Sequence, residues 1–330
     1  MWRARHVASC AAAAWIGSRA SATPAHPALK HGTPISHRTR YDENYVVHFD
    51  QRTRDPLWVV ERLTKQRLDA EAESPPGRRD ARYLEALDVP ARLRSRLAHY
   101  KHSGFDRGHL APAADHRGSK DAVQSTFYLD NMAPQDSLLN RGPWLKLEEL
   151  CRSVAQVADE VYVVSGPLFL PEREKDGLRL RNRVLGSPPS VTWVPSHFFK
   201  VVLAERDGVS YIGCFVLPNG KCDDDLSKWL VPLENLEAAA GLVPFPDALT
   251  DEAARDALAA AEARWCPRGS GINAGRAREQ VGIRHLCDLL PAGALAARQV
   301  LPPEPSHAVD ATATGGGSGH VVNVRRLRKR

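Results

Sequence analysis

Two long apolar runs meet at one turn signal past the middle of the chain. "SVTWVPSHFFKVVLAE" (190–205) and "VSYIGCFVLP" (209–218) are rich in β-branched and aromatic residues, and only Arg206, Asp207 and Gly208 separate them. An Asp-Gly step between two strand runs is a hairpin signal, because the favoured two-residue turn needs positive φ at its central positions. The two runs are thus candidates for a hairpin around "RDG". Further strand runs are "NYVVHFD" (44–50) and "PLWVVERL" (56–63), joined by the polar turn "QRTRD", and "EVYVVSGPLF" (160–169). "STFYLDNMAP" (125–134) reads as a short strand leading into a loop. Helical spacing begins after Pro143, where Trp144, Leu147, Leu150/Cys151, Val154 and Val157/Ala158 recur on one face and proline is tolerated in the first turn. "TDEAARDALAAAEARW" (250–265) is a second helix, with Thr250 as its N-cap. Residues 66–103, broken by "SPPGRRD", read as an irregular excursion with a short helix. Strands and helices mix without regular βαβ alternation. The expected class is α+β, a central antiparallel sheet flanked by helices.

The two ends differ from the body. Residues 1–40 carry Arg3, Arg5 and Arg19 among many alanines and serines with no acid, the pattern of a mitochondrial targeting presequence; a plastid transit peptide or a plain basic tail has the same composition. Order is expected from Tyr41. From residue 302, "PPEPSHAVDATATGGGSGH" is low-complexity and leads to "RRLRKR", so residues 302–330 read as a disordered basic tail. That terminus fits a nuclear-localisation or nucleic-acid-binding cluster as well as it fits a merely solvated tail. A folded unit over residues 41–301 remains, with 245–301 as a helical extension. No apolar run approaches the roughly 18 residues of a membrane span.

Charge follows the same division. Residues 1–41 hold six Lys/Arg and the last six residues hold five, which exceeds the formal net charge of +6 and leaves residues 42–324 at −5. A polyanion partner would then be held by a local patch rather than a general positive field. Arg78, Arg79, Arg82, Arg92, Arg94 and Arg96 supply one, although a solvated helix face explains most of them equally well. Of the six cysteines, Cys10 lies in the leader and no pair has CxxC spacing, which argues against zinc and against a disulfide framework. Cys151 and Cys214 have apolar neighbours and read as core residues.

The chemistry is concentrated in "GFDRGHLAP" (104–112). His109 can take a proton from water near neutral pH. A base alone does not hydrolyse a phosphodiester; a divalent cation and an arginine are needed where charge builds on the phosphate and the leaving oxygen. On an extended segment Arg107 and His109 share a face and Asp106 points to the other. Gly108 between them would let a substrate backbone come close. Asn131 and Asn140 are candidate oxygen ligands for a metal, and Glu148 lies two turns into the helix that follows Asn140. Neutral amide ligation leaves Mg2+ most of its waters, which suits an ion that dehydrates reluctantly. Taken singly, each residue has a bland reading: a structural histidine, an asparagine cap, a surface glutamate.

"FDRGHLAPAADH" followed by "YLDNMAPQDSLLNRGPWLKLE" closely resembles the DNA/RNA non-specific endonucleases with a ββα-metal (His-Me finger) active site, and within them the mitochondrial endonuclease G-like branch. "YVVHFDQRTRDPLWVVERL" is similar to that branch too, so the resemblance covers residues 41 to about 245. It implies a Mg2+-dependent endonuclease acting on DNA and RNA through the phosphate backbone, with Mn2+ as a substitute ion. His109 would be the general base, Asn140 the sole protein ligand of the metal, and Arg107 a contact to the phosphate. Asn131 and Glu148 would complete the site, Glu148 holding a water of the ion. An upstream arginine, Arg79 or Arg82, would also bind substrate. The resemblance further implies a homodimer and a mitochondrial location, with release to the nucleus. One position departs from the pattern: Asp130 stands where many members carry serine. An acid there would raise the basicity of His109 or add metal affinity, unless it points away. Two other classes remain: a nucleic-acid-binding protein without catalysis, and a phosphodiesterase of small phosphate esters.

Overall fold

The computed structural model describes residues 26–73, 81–250, 252–266, 283–291 and 293–296. In chain order the strands are β1 (His37–Tyr41), β2 (Tyr45–Asp50), β3 (Asp55–Leu63), β4 (Asp106–His109), β5 (Met132–Gln135), β6 (Glu160–Leu168), β7 (Glu172–Glu174), β8 (Gly177–Arg179), β9 (Val184–Ser187), β10 (Ser190–Trp193), β11 (His197–Arg206), β12 (Val209–Pro218) and β13 (Ile283–His285). The helices are α1 (Lys65–Glu73), α2 (Leu97–Tyr100), α3 (Lys120–Ser125), α4 (Ser137–Asn140), α5 (Pro143–Ala155), α6 (Leu233–Ala240) and α7 (Glu252–Trp265).

A seven-stranded sheet runs in the order β1-β2-β3-β6-β11-β12-β13. All neighbours are antiparallel except β12 and β13. The β11–β12 hairpin closes with Arg206 opposite Val209, leaving Asp207 (φ 52) and Gly208 (φ 76) as a two-residue loop of the kind the sequence predicts.

The central strands are apolar on both sides because both sides are covered. Phe198, Val202 and Ala204 of β11 join a core with Val47, Val163, Trp144, Leu147 and Cys151. Phe199, Val201 and Leu203, pointing the other way, join Val164, Ile212, Cys214, Leu233 and Leu258. Thus α5 covers one face while α6 and α7 cover the other, and the strands read as continuous apolar runs rather than alternating ones. Trp144, Leu147, Cys151 and Val154 are buried along α5 as their spacing requires. Cys151 and Cys214 are buried free thiols.

Several boundaries move. The sheet begins at His37 rather than Tyr41: β1 is a polar edge strand, and its His37 ring stacks on His48, which stacks in turn on Trp58. The run 125–134 is not one strand, since Ser125 ends α3 and only Met132–Gln135 is extended. The run 190–205 is cut at Pro195, which lies between β10 and β11; β10 pairs with β9 in a separate two-stranded sheet. The described residues of 245–301 include α7 and the parallel edge strand β13, which join the core and the main sheet. Residues 1–25 and 297–330, where most of the leader and the tail fall, lie outside the described residues. Among the described residues no helix is long and apolar enough to cross a membrane.

Candidate active site

The chemistry sits on a small ribbon beside the main sheet. β4 pairs antiparallel with β5, with Asp106 opposite Gln135, Gly108 opposite Ala133 and His109 opposite Met132. The chain then enters α4, whose N-cap Asp136 accepts from Leu138 N at 2.8 Å, and α5, which starts at Pro143. Asn219, just past β12, pins the ribbon to the main sheet. Its Nδ2 donates to Pro134 O (3.0 Å) and Pro195 O (2.8 Å), and its Oδ1 accepts from Asp136 N (2.7 Å). A strand pair followed by a helix is thereby held rigidly, which is what a site needs if its geometry is to survive substrate binding.

The two faces of β4 carry different groups. Arg107 lies over the Tyr83 ring, its Cζ 4.0 Å from the centroid. His109, 8% exposed, meets Phe127 edge-on at 4.9 Å, and Phe127 is 5.1 Å from Tyr83. Arginine and histidine therefore share an aromatic wall. Among the described residues Arg107 has no ion-pair partner, and its Nε is buried without a hydrogen-bond partner, so the guanidinium charge is left uncompensated. The backbone carbonyl of His109 accepts from Trp144 Nε1 at 3.3 Å, which ties the end of β4 to α5.

On the opposite face Asp106 accepts from Asn140 Nδ2 (3.0 Å) and from Arg141 Nε and Nη2 (both 3.1 Å). An ionised carboxylate only accepts, so the nitrogen of the Asn140 amide must face Asp106. Its oxygen is left as an acceptor directed away from that bond, the atom type a hard cation takes.

Asn131 has a different place from the one its spacing suggests. It is 0% exposed; Nδ2 donates to Ala111 O and Thr126 O, both at 2.9 Å, and Oδ1 accepts from Ala111 N at 3.0 Å. These bonds fix the chain leaving β4. Glu148 is buried on α5 in a charged layer with Glu61, Asp115, Arg152 and Lys200; burial, opposed by the Lys200 ammonium, pushes its carboxyl up to about 8. Arg152 holds Asp115 at 2.7 Å, His116 and Glu61 meet at 3.2 Å, and Lys200 donates to Ser165 Oγ at 2.6 Å while lying 4.9 Å from the Trp144 ring centroid.

One expectation is corrected, and one open alternative is decided. Gly108 is not open to substrate: a Cβ there would lie 2.2 Å from Gln135 Oε1 and 2.6 Å from Gln135 Cβ. The glycine makes room for the buried Gln135 side chain. Asp130 points away from His109. It forms a bidentate pair with Arg40, with Nε 2.7 Å from Oδ2 and Nη2 2.9 Å from Oδ1. Of the upstream arginines, Arg79 lies outside the described residues. Arg82 is exposed and its backbone is tied at both N–H and C=O to the Gln124 amide. Arg94 is neutralised by Glu85 at 3.0 Å. Tyr83 and Phe127, which build the wall behind Arg107 and His109, come from loops with no motif to reveal them.

A histidine and an arginine on a strand, with the neighbouring Asp106 bonded to an amide on the following helix, belong to a fold of the ββα nuclease type. The chain belongs to the DNA/RNA non-specific endonuclease family, whose profile matches residues 25–251; it is a nuclease, a hydrolase of phosphodiester bonds. It is 41% identical over 235 residues to "Endonuclease G, mitochondrial" of Homo sapiens, covering 70% of this chain and 77% of that one. To the protein of the same name in Caenorhabditis elegans it is 41% identical over 222 residues, covering 66% and 71%. A solved EndoG chain in complex with EndoGI superposes with a TM-score of 0.59 at 35% identity, covering 65% of this chain and 88% of that one.

Proposed function

We propose that this centre hydrolyses internal phosphodiester bonds of DNA and RNA with His109 as general base, Asn140 as the one protein ligand of Mg2+ (Mn2+ substituting) and Arg107 on the phosphate. The observation that carries the reading is β4 itself. One face sets Arg107 and His109 against Tyr83 and Phe127, and the other fixes Asn140 through Asp106. Among the described residues no three His, Cys, Asp or Glu side chains converge on a metal position, which fits a site with a single amide oxygen and otherwise water. A bound divalent cation would neutralise charge on the phosphate and the leaving oxygen.

The rest falls to the protein. His109 takes a proton from the attacking water, held in place by the Trp144 bond to its carbonyl. Arg107 is kept flat by Tyr83, and its fork meets the charge that grows on the phosphate. Asp106 orients the Asn140 amide. Glu148 orients water from the helix, and Asn131 acts as a positioning residue for the end of β4. An upstream arginine, Arg79 or Arg82, stands as a further contact to the substrate backbone. Contacts directed at phosphate carry little sequence information, consistent with non-specific cleavage. The proposal includes a homodimer, which sedimentation would report, and a mitochondrial location, as the names of the human and Caenorhabditis elegans relatives state for those proteins.

The test is digestion of circular DNA, linear DNA and RNA with Mg2+ and with a chelator. The parent should cut all three only with the metal. Asn140→Ala should lose at least tenfold in rate and need more Mg2+ for half-maximal activity. A metal dependence identical to the parent's would remove Asn140 as ligand.

A further inference from the structure

The side of β4 that carries Arg107 and His109 extends one step further back. Phe105, Arg107 and His109 alternate along the chain and so share a side. Each is paired with a group from elsewhere: Phe105 with Arg183, whose Cζ lies 5.0 Å from the ring centroid, Arg107 with Tyr83, and His109 with Phe127. Phe105 and Tyr83 pack on one apolar cluster made by Tyr100, Leu129, Met132, Leu185 and Val194. Two guanidinium–aromatic stacks thus stand on a common base. At a rise of ~3.3 Å per residue the Cα atoms of Phe105 and Arg107, which each carry one partner of a stack, are roughly 7 Å apart.

Arg183 is held there. Its backbone carbonyl accepts from Val194 N at 2.8 Å, one of its Nη atoms donates to Ser103 O at 3.3 Å, and the buried Leu185 anchors the chain two residues on. Its neighbours differ in charge state. Arg179 pairs with Asp176 and Glu174, and Arg181 pairs with Glu174. Arg183 has no acidic partner among the described residues. An exposed arginine that is fixed by a ring, a carbonyl and a buried neighbour, but not neutralised, offers its remaining donors to an anion.

We propose that Arg183 binds the phosphate adjacent to the one cleaved, so that the substrate strand runs along the side of Phe105, Arg107 and His109. The proposal rests on the nuclease centre described above and adds the direction of the strand across it. The loop between β8 and β9 then becomes part of the nucleic-acid interface, and it favours polymers over esters with a single phosphate. Arg107 meets the reacting phosphate; Arg183 supplies affinity and register.

The full chain decides this in two arms. In chelator, where nothing is cut, anisotropy with a labelled single-stranded 12-mer gives the affinity and its salt dependence. Arg183→Gln should weaken binding three- to tenfold and reduce the slope of log K against log salt by about 0.7, the loss of one phosphate contact on a single strand. Arg183→Lys should restore most of the slope. Arg206→Gln, at the tip of the β11–β12 hairpin, should leave it unchanged. With Mg2+, Arg183→Gln should lower kcat/KM on long DNA three- to tenfold relative to that on an aryl phosphodiester, mainly through KM. A salt slope equal to the parent's, an equal drop for Arg206→Gln, or equal loss on polymer and aryl ester would each overturn the proposal. A parent chain that binds but does not cut would sink the catalytic reading, while the binding arm still decides Arg183.

Discussion

Arg107 and Arg152 stand in opposite electrostatic settings. Arg107 lies on a tyrosine ring and, among the described residues, has no ion-pair partner. Arg152 holds the fully buried Asp115 at 2.7 Å in a layer that also contains Glu61, His116, Glu148 and Lys200. Lys200, 1% exposed, interrupts the apolar run "FFKVV", and it is tolerable only because Ser165, Glu61 and the Trp144 ring surround it. A buried ion costs several kcal/mol unless it is paired, so the deep layer neutralises its charges locally. On the β4 side that carries Arg107, which is only half-buried, the guanidinium is held by an aromatic ring instead of a carboxylate, and its charge stays uncompensated until an anion arrives. The same residue types thus serve the reaction in one place and the fold in the other.

The largest expected effect tests the first half of that contrast. His109→Ala should lower kcat by roughly two to four orders of magnitude, the range for loss of a general base, while DNA binding and the circular-dichroism spectrum stay near the parent's. Near-parent turnover by the pure variant would take His109 out of the reaction and leave Arg107 without its partner.

The second half is tested by Arg152→Ala. Removing one partner of a buried pair leaves Asp115 uncompensated and should cost about 3–5 kcal/mol in denaturant unfolding. Adding Asp115→Asn should recover part of that loss, since the stranded charge is then gone. A cost below about 1 kcal/mol combined with a large fall in activity would place Arg152 with the β4 side instead.

How much of this could be read from residues alone depends on how far apart the partners lie in the chain. The sheet was legible because apolar runs and the Asp-Gly turn are local signals. The α5 face was legible for the same reason. β1 was not, because "HRTRY" is an edge strand whose stabilisation comes from pairing and from the His37–His48–Trp58 stack, not from buried apolar area. At the site, Arg107 and His109 were candidates from their chemistry and alternation, whereas the choice of Asn140 over Asn131 came only from the family resemblance. Their surroundings were hidden: Tyr83 is 24 residues before Arg107, and Arg40 reaches Asp130 across 90 positions. Gly108 was legible as a close-approach position, but the sequence could not tell a substrate from Gln135 as the group that approaches. Asn131 shows the same limit, since an asparagine bound to backbone and one open to solvent look alike in one dimension.

Glu148 is where the two regions meet, and its titration sharpens the comparison. Burial raises its carboxyl from the usual 4.5 to about 8, and Lys200 opposes the shift. Between those values the native chain keeps a proton that the unfolded chain has released. Stability must therefore fall as pH rises through that window and level off above it. At about 1.4 kcal/mol per pKa unit, the parent should lose on the order of 2–4 kcal/mol more than Glu148→Gln between pH 5 and pH 8. Denaturant unfolding of both at a series of pH values measures this. Identical pH slopes would mean that the cations of the layer, Lys200 and Arg152, keep Glu148 ionised in spite of its burial. Repeating the series with saturating Mg2+ then separates the two settings. A cation beside the carboxylate favours its charged form and would move the window to lower pH, as expected if Glu148 faces the β4 centre; a window that does not move would confine Glu148 to the buried layer, where it serves the fold alone.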